Sequence, residues 1–192
     1  SSRGRRELPD SNVVLDGKEE ILGKERTFIG QHILVPKEGC AVHLNAFNFP
    51  VWGMLEKGAV NWLAGMPAIV KPAQMTSYLT ELVVKEIIAS KILPDGALQL
   101  IVGTAEGLLD HLHSQDVLTL TGSHATAKKL RAHPNIIENS IHFNCEADSL
   151  NMSILGPDAT PKTPEFEIFI KEVAKEISVK AGQKCTAIRR IF

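Results

Sequence analysis

Cys40-Ala41-Val42-His43-Leu44 opens a stretch that runs through Asn45-Ala46-Phe47-Asn48-Phe49-Pro50 and ends on Ala68-Ile69-Val70-Lys71. The first five residues form a short, unpunctuated run, as expected of a strand buried on both faces. Pro50 suits a first helical position, and Met54, Leu55, Gly58, Ala59 and Trp62 recur at helical spacing until Gly65-Met66-Pro67 stops them. Ala68 to Lys71 then reads as a second strand. A strand, a helix and a strand of these lengths close as a right-handed crossover in a parallel sheet. The stretch predicts an α/β fold.

The alternation continues downstream. After Pro72, Thr76 or Ser77 can cap a helix with Leu79, Leu82, Val83 and Ile87 on one face, ended by Pro94-Asp95-Gly96. Leu98 to Val102 reads as a strand, Leu108, Leu109 and Leu112 as a short helix face, Val117 to Leu120 as a strand, and Thr121-Gly122-Ser123 as the opening of another helix. The order predicts a doubly wound parallel sheet covered on both faces. Ile141 to Asn144 and Met152 to Leu155 read as two more strands. Thr163 is placed to cap a long helix with Pro164 first, Glu165 and Glu167 in its opening turn, and Lys180 and Gly182 at its end. Upstream, an apolar run from His32 to Val35 leads into the Pro36-Lys37-Glu38-Gly39 turn. Residues 1–28 are polar and without strong periodicity, and are expected to be a linker or the remnant of an upstream element. Residues 29–147 are expected to form one domain and 148–192 to begin a second.

Bulk properties narrow the functional classes. The chain has 192 residues, 44% hydrophobic and 22% charged, enough for a real core. Its net charge of -1, with both signs interspersed, offers no electrostatic footprint for nucleic acid or an anionic membrane. No apolar run reaches a membrane span, and Ser1 to Arg6 lacks a signal peptide's apolar segment, so a cytoplasmic location is expected. The three cysteines (Cys40, Cys145 and Cys185) show no CxxC and no Cys/His ligand spacing, which argues against a disulfide framework or a metal site. The histidines are read as core or surface residues.

Five places could carry chemistry. Cys185 lies in Ala181-Gly182-Gln183-Lys184-Cys185-Thr186-Ala187, just past a glycine, where backbone N–H groups, Lys180 and Lys184 would favour a thiolate nucleophile. Its other reading is a small buried residue in a strand. Asn48 leaves a strand end and can donate to a developing oxyanion, or simply cap the helix at Pro50; Asn45 reads as the cap or turn residue of the pair. Lys71, at the end of a buried strand, could meet ribose hydroxyls or a phosphate. Thr121-Gly122-Ser123 offers N–H groups and a hydroxyl to a pyrophosphate, or is a plain cap, and carries no GxGxxG. Glu146 is a candidate general base or a surface carboxylate.

Taken together, Asn48-Phe49-Pro50, Val70-Lys71-Pro72-Ala73, Thr121-Gly122-Ser123, Glu146 and Gly182-Gln183-Lys184-Cys185 resemble, in order and spacing, the motifs of the aldehyde dehydrogenase family. The resemblance implies a Rossmann-like nucleotide-binding domain followed by the start of a catalytic domain. It implies that the Cys185 thiolate attacks an aldehyde, that the Asn48 amide and the Cys185 N–H hold the oxyanion, and that Glu146 activates the water that hydrolyses the thioester. It places the cofactor against Phe47, Lys71, Gln74, Gly122 and Ser123. Most of the family has a glutamate where Gln74 stands, and a neutral residue there beside Lys71 implies NADP, with NAD as the alternative.

The wording Asn45 to Lys57, Glu146-Ala147-Asp148-Ser149-Leu150-Asn151 and Ala181 to Arg190 is similar to one bacterial branch of the family. That branch acts in phenylacetate degradation, where the dehydrogenase is fused to a hydratase domain. It implies a small-molecule substrate, a CoA-thioester semialdehyde, and a homo-oligomeric parent. Departures from the family are Glu146-Ala147-Asp148-Ser149 in place of Glu-Leu-Gly-Gly and Ala127 in place of a glycine. Members of the family are longer, so the chain is expected to be a fragment. The alternative is a non-catalytic nucleotide-binding module.

Overall fold

A computed structural model describes residue 11 and residues 13–192. Its centre is a five-stranded sheet built from β3 (Ala41–Leu44), β4 (Ala68–Lys71), β5 (Leu98–Leu100), β6 (Val117–Gly122) and β7 (His142–Ala147). The spatial order is β5-β4-β3-β6-β7, and every pairing is parallel. The chain therefore winds outward from β3 through β4 to β5, then returns to β6 on the other side of β3 and goes on to β7. The point of reversal lies between β3 and β6, where ligands bind in open sheets of this kind. The α/β doubly wound expectation is met.

The crossovers are α1 (Pro50–Leu63), α2 (Ser77–Ala89), a 3₁₀ turn at Leu108–His111, and α3 (His124–Arg131) with α4 (Pro134–Glu138). They bury two cores. Met54 of α1 and Val84 of α2 pack with Val70 and Leu98 on one face. On the other face Val42, Leu44, Leu118 and Leu120 meet Leu109, Leu112, Ala127 and Ile136. Ala127, which stands where the resembled family has glycine, is itself buried in that core. Alternation along β3 explains the division: Val42 and Leu44 point one way, and His43 points to α1. No helix among the described residues is long and apolar enough to cross a membrane.

Several local expectations are corrected. Residues 1–28, expected to be a linker or the remnant of an upstream element, include a strand that was not expected: β1 (Val14–Ile21), which pairs antiparallel with β2 (Ile29–Leu34). Ser1–Asp10 and Asn12 lie outside the described residues. β5 stops at Leu100 rather than Val102, and the strand expected from Met152 to Leu155 is β8 (Met152–Ser153), which pairs with β9 (Arg190–Ile191) and stands apart from the central sheet. Thr76 occupies the cap position of α2, but its hydroxyl donates to the Phe47 carbonyl. Thr163 precedes α5 (Pro164–Ser178) without capping it, because its hydroxyl donates to Thr160. Helix α5 ends before Lys180.

His43 has no exposed surface and meets Asn61 through Nε2. Burial, and then the nearby Lys57 ammonium, pushes its pKa down to about 4 from 6.5. Folded His43 is thus neutral where the unfolded chain takes up a proton. Stability is unaffected above pH 6.5, falls as pH drops toward 4, and levels below that, a loss of roughly 3 kcal/mol from this residue. His43→Gln is expected to reduce the drop in melting temperature between pH 7 and pH 5. An unchanged drop would remove His43 as its source.

Candidate active site

The C-terminal ends of β3, β4, β6 and β7 open onto one cleft of about 940 Å³. Asn45, Phe47 and Asn48 line it from the loop after β3, Lys71 and Ala73 from β4, Gly122 and Ser123 from β6, and Glu146 from β7. Gln183, Lys184, Cys185 and Arg189 reach it from the last segment of the chain. Seven of the eight expected site residues, spread from Phe47 to Cys185 in the sequence, are thus brought together. The exception is Gln74. It is exposed at the start of a 3₁₀ turn, Gln74–Thr76, and is not part of the cleft wall.

Asn48 is not the cap of α1, since Phe49 holds that position. Its amide Nδ2 instead donates to the Gln183 carbonyl, 3.1 Å away, and so ties the loop after β3 to the cysteine segment. Lys180 makes a second tie: its Nζ donates to the Asn48 carbonyl at 3.1 Å and lies 4.0 Å over the Phe49 ring. Such a contact is worth about 0.5–1 kcal/mol when exposed.

The approach to the cysteine is unusual. Lys180, Ala181 and Gly182 follow one another at φ of 54°, 53° and 70°. Only glycine adopts that region without cost, and each of the other two sacrifices roughly 1–2 kcal/mol. The segment then forms a β-turn from Lys184 to Ala187, closed by Ala187 N–H donating to the Lys184 carbonyl at 3.1 Å. Cys185 is the second residue of that turn, half-buried, and not part of a strand. Nothing among the described residues accepts from its N–H. Lys184 carries its charge to Glu176, with Nζ 2.6 Å from the carboxylate. The two lysines expected to favour the thiolate are therefore both engaged by other groups.

Ser123 caps α3, its hydroxyl accepting from Thr126 N–H at 3.2 Å. Ser123 and Thr126 both line the cleft, so the N-terminus of α3 borders it, and a helix N-terminus favours an anion. Glu146 stands at the end of β7, beside Thr121 of β6 in register.

Lys57 and Asn45 are the residues that sequence reasoning missed or misread. Asn45 is neither cap nor turn residue. It is buried, and its Oδ1 accepts from Lys57 Nζ at 2.8 Å. The same Nζ donates to Thr121 Oγ1 at 2.7 Å, so one ammonium bridges the ends of β3 and β6 beneath the cleft. Burial holds that ammonium below the ordinary lysine range, while the charges of Glu56 and Glu146 pull the other way. A signal was available: Lys57 and Asn61 share the helical face of Met54 and Gly58, which is the buried face of α1. Polar residues on that stripe mark a built interior contact. Burial pushes the Cys40 thiol up to about 11, with Asp116 adding to the effect, so Cys40 is an unreactive thiol near neutrality.

Comparison with known proteins bears on this cleft. The sequence profile described as "Aldehyde dehydrogenase family" matches residues 15–192. A curated relative, the 3,4-dehydroadipyl-CoA semialdehyde dehydrogenase of Aromatoleum evansii, is 47% identical over 191 residues. The alignment covers 100% of this chain and 37% of that protein, so the chain spans little more than a third of the relative's length. Among solved structures, betaine aldehyde dehydrogenase from Staphylococcus aureus in complex with NAD+ superposes with a TM-score of 0.68 at 26% identity, over 80% of this chain and 29% of that one. Succinic semialdehyde dehydrogenase from Streptococcus pyogenes in complex with NADP+ gives a TM-score of 0.71 at 18% identity, over 84% and 34%, a likeness of fold.

Proposed function

This chain belongs to the aldehyde dehydrogenase family, and from that premise we propose that the full-length protein oxidises a CoA-thioester semialdehyde to the acid with NADP. The observation that carries the reading is the meeting of Cys185, Asn48 and Glu146 at one cleft beside Lys71 and the start of α3. The 47% identity to a CoA-semialdehyde dehydrogenase supports the substrate class.

The cleft suits a dinucleotide. Lys71 supplies a cation for a ribose or 2′-phosphate, Phe47 an aromatic face, and the α3 N-terminus, reached over Gly122 and Ser123, N–H groups for a pyrophosphate. When bound, the nicotinamide supplies the hydride acceptor. The chain's own residues do the rest. Cys185 Sγ bonds to the aldehyde carbon, and the carbonyl π-pair moves to oxygen. The Asn48 amide and the Cys185 N–H stabilise that oxyanion. Oxidation leaves a thioester on Cys185. Glu146 then removes a proton from water as its oxygen bonds to the acyl carbon, and the C–S bond breaks to return the thiolate. Residues 29–147 bind the nucleotide in this scheme, and 148–192 bring the nucleophile.

NADP selectivity is assigned to Lys71 with Gln74, three residues on, where no carboxylate opposes a 2′-phosphate. The test is NADPH or NADH formation from a CoA-linked semialdehyde by the full-length enzyme. Gln74→Glu is expected to lower kcat/KM for NADP about tenfold relative to NAD, the equivalent of ~1.4 kcal/mol. An unchanged cofactor ratio would remove Gln74 from the argument, and no turnover with such substrates would remove the substrate class.

The second reading, a non-catalytic nucleotide-binding module, applies to this segment alone. It is favoured by the segment's covering 37% of its relative, and dinucleotide binding by the isolated chain without turnover would fit it.

A further inference from the structure

Asn151 lies in the short loop between Glu146 on β7 and the first residue of β8. Its side-chain Nδ2 donates to the Cys185 carbonyl at 2.5 Å and to the Ala187 carbonyl at 3.2 Å. Its own carbonyl accepts from Arg189 N–H at 2.9 Å and Arg190 N–H at 3.1 Å. One half-buried residue therefore holds the chain at four points from Cys185 to Arg190. Other ties hold the flanks of the turn, Asn48 on the Gln183 carbonyl and Arg189 Nη2 on the Gly182 and Lys184 carbonyls at 2.9 and 3.4 Å, but among the described residues Asn151 alone holds the Cys185 carbonyl.

We propose that Asn151 is a positioning residue for the nucleophile. This rests on the reading of Cys185 as the nucleophile. Both N–H groups of its amide are committed to carbonyls of the turn. Asn151 fixes the peptide after Cys185 through its carbonyl, and the Ala187 N–H fixes the peptide before it through the Lys184 carbonyl; between the two, the Cys185 N–H has no acceptor among the described residues. That N–H is the donor an oxyanion needs. A carboxylate of the same shape would only accept, and would face two carbonyl oxygens. A methyl group would leave both carbonyls unpartnered. The loop bearing Asn151 is also continuous with Glu146, so the base and the nucleophile turn share one short tether.

Pre-steady-state kinetics of the full-length enzyme with Asn151→Asp and Asn151→Ala test this. Displacing a nucleophile by about 1 Å costs on the order of 100-fold in rate. The expected result is a burst of reduced cofactor with wild-type amplitude per subunit and a burst rate about 100-fold lower, with cofactor Kd within threefold. Asn151→Ser, which keeps one donor, is expected to fall between, and it serves if the other two variants do not fold. A burst rate within threefold of wild type in every folded variant would overturn the proposal. So would amplitude and cofactor binding lost in parallel at an unchanged rate per active site, which marks a residue needed only for folding. If Cys185→Ala is inactive while the Asn151 variants behave as wild type, only this inference fails; if Cys185→Ala turns over normally, the function reading fails first.

Discussion

Cys185→Ala in the full-length enzyme is expected to abolish aldehyde oxidation, by at least about 10⁴-fold, and to abolish acyl-enzyme formation altogether. The scheme has no other route to a thiohemiacetal. Cys40 is half-buried beside Asp116 with its thiol pushed up to about 11, and Cys145, on β7, is half-buried against the core. Neither lines the cleft that Cys185 shares with Asn48 and Glu146. The variant should keep cofactor binding, because Lys71, Ser123 and the α3 N-terminus lie on the central sheet and owe nothing to the sulfur. Isothermal titration with NADP, rapid-mixing detection of reduced cofactor, and mass spectrometry of the trapped acyl-enzyme check the three parts separately. A burst of NADPH surviving in Cys185→Ala would refute the nucleophile assignment.

The fold was legible because each strand of the central sheet is a short run bounded by a helix signal. Val42, Leu44, Leu118 and Leu120 are buried by helices on one face, and Val70 and Leu98 by helices on the other. The hairpin strand β1 escaped notice for the opposite reason. Nearly every residue from Val14 to Ile21 is exposed, the register shifts between Asp16 and Glu20, and Gly17 takes φ of 76°. The alternation that betrays a strand comes from burying one face, and this strand buries neither.

The site was legible where a motif sits at a strand end, since parallel strands bring their C-terminal ends to one edge of the sheet. Asn48, Lys71, Ser123 and Glu146 follow that rule. Cys185 reaches the same edge from the turn that precedes β9, through the ties of Asn48 to Gln183 and Lys180 to Asn48. The supports beneath the site were legible only as a polar break at Lys57 in the buried stripe of α1, not in the partners they hold. Lys57 between Asn45 and Thr121, and Asn151 under Cys185, hold groups 64 and 34 residues away in sequence, and only the folded sheet brings those pairs together.

Glu146→Gln separates the two halves of the reaction. The substitution keeps the shape of the side chain, exchanges one acceptor oxygen for an NH2 donor, and removes its ability to take a proton near neutrality. Attack by Cys185 and oxidation of the oxyanion adduct do not use the carboxylate as base, so a burst of reduced cofactor equal to one per active site is expected. Hydrolysis of the thioester requires water to lose a proton as it attacks, and a positioned base contributes about 10²–10⁴ to such a step. Steady-state turnover should therefore fall about 10²–10⁴-fold while the burst remains, and the acyl-enzyme should accumulate to a level visible by mass spectrometry. The electrostatics beneath the cleft change in a defined direction: Glu146 helps to hold the buried Lys57 ammonium charged, and glutamine withdraws that help. If the burst is lost together with turnover, Glu146 acts before oxidation, as the base that deprotonates Cys185. If neither changes, the water is activated elsewhere. Adding a strong external nucleophile decides between slow hydrolysis and slow product release, since hydroxylamine attacks the thioester directly and should restore turnover only in the first case.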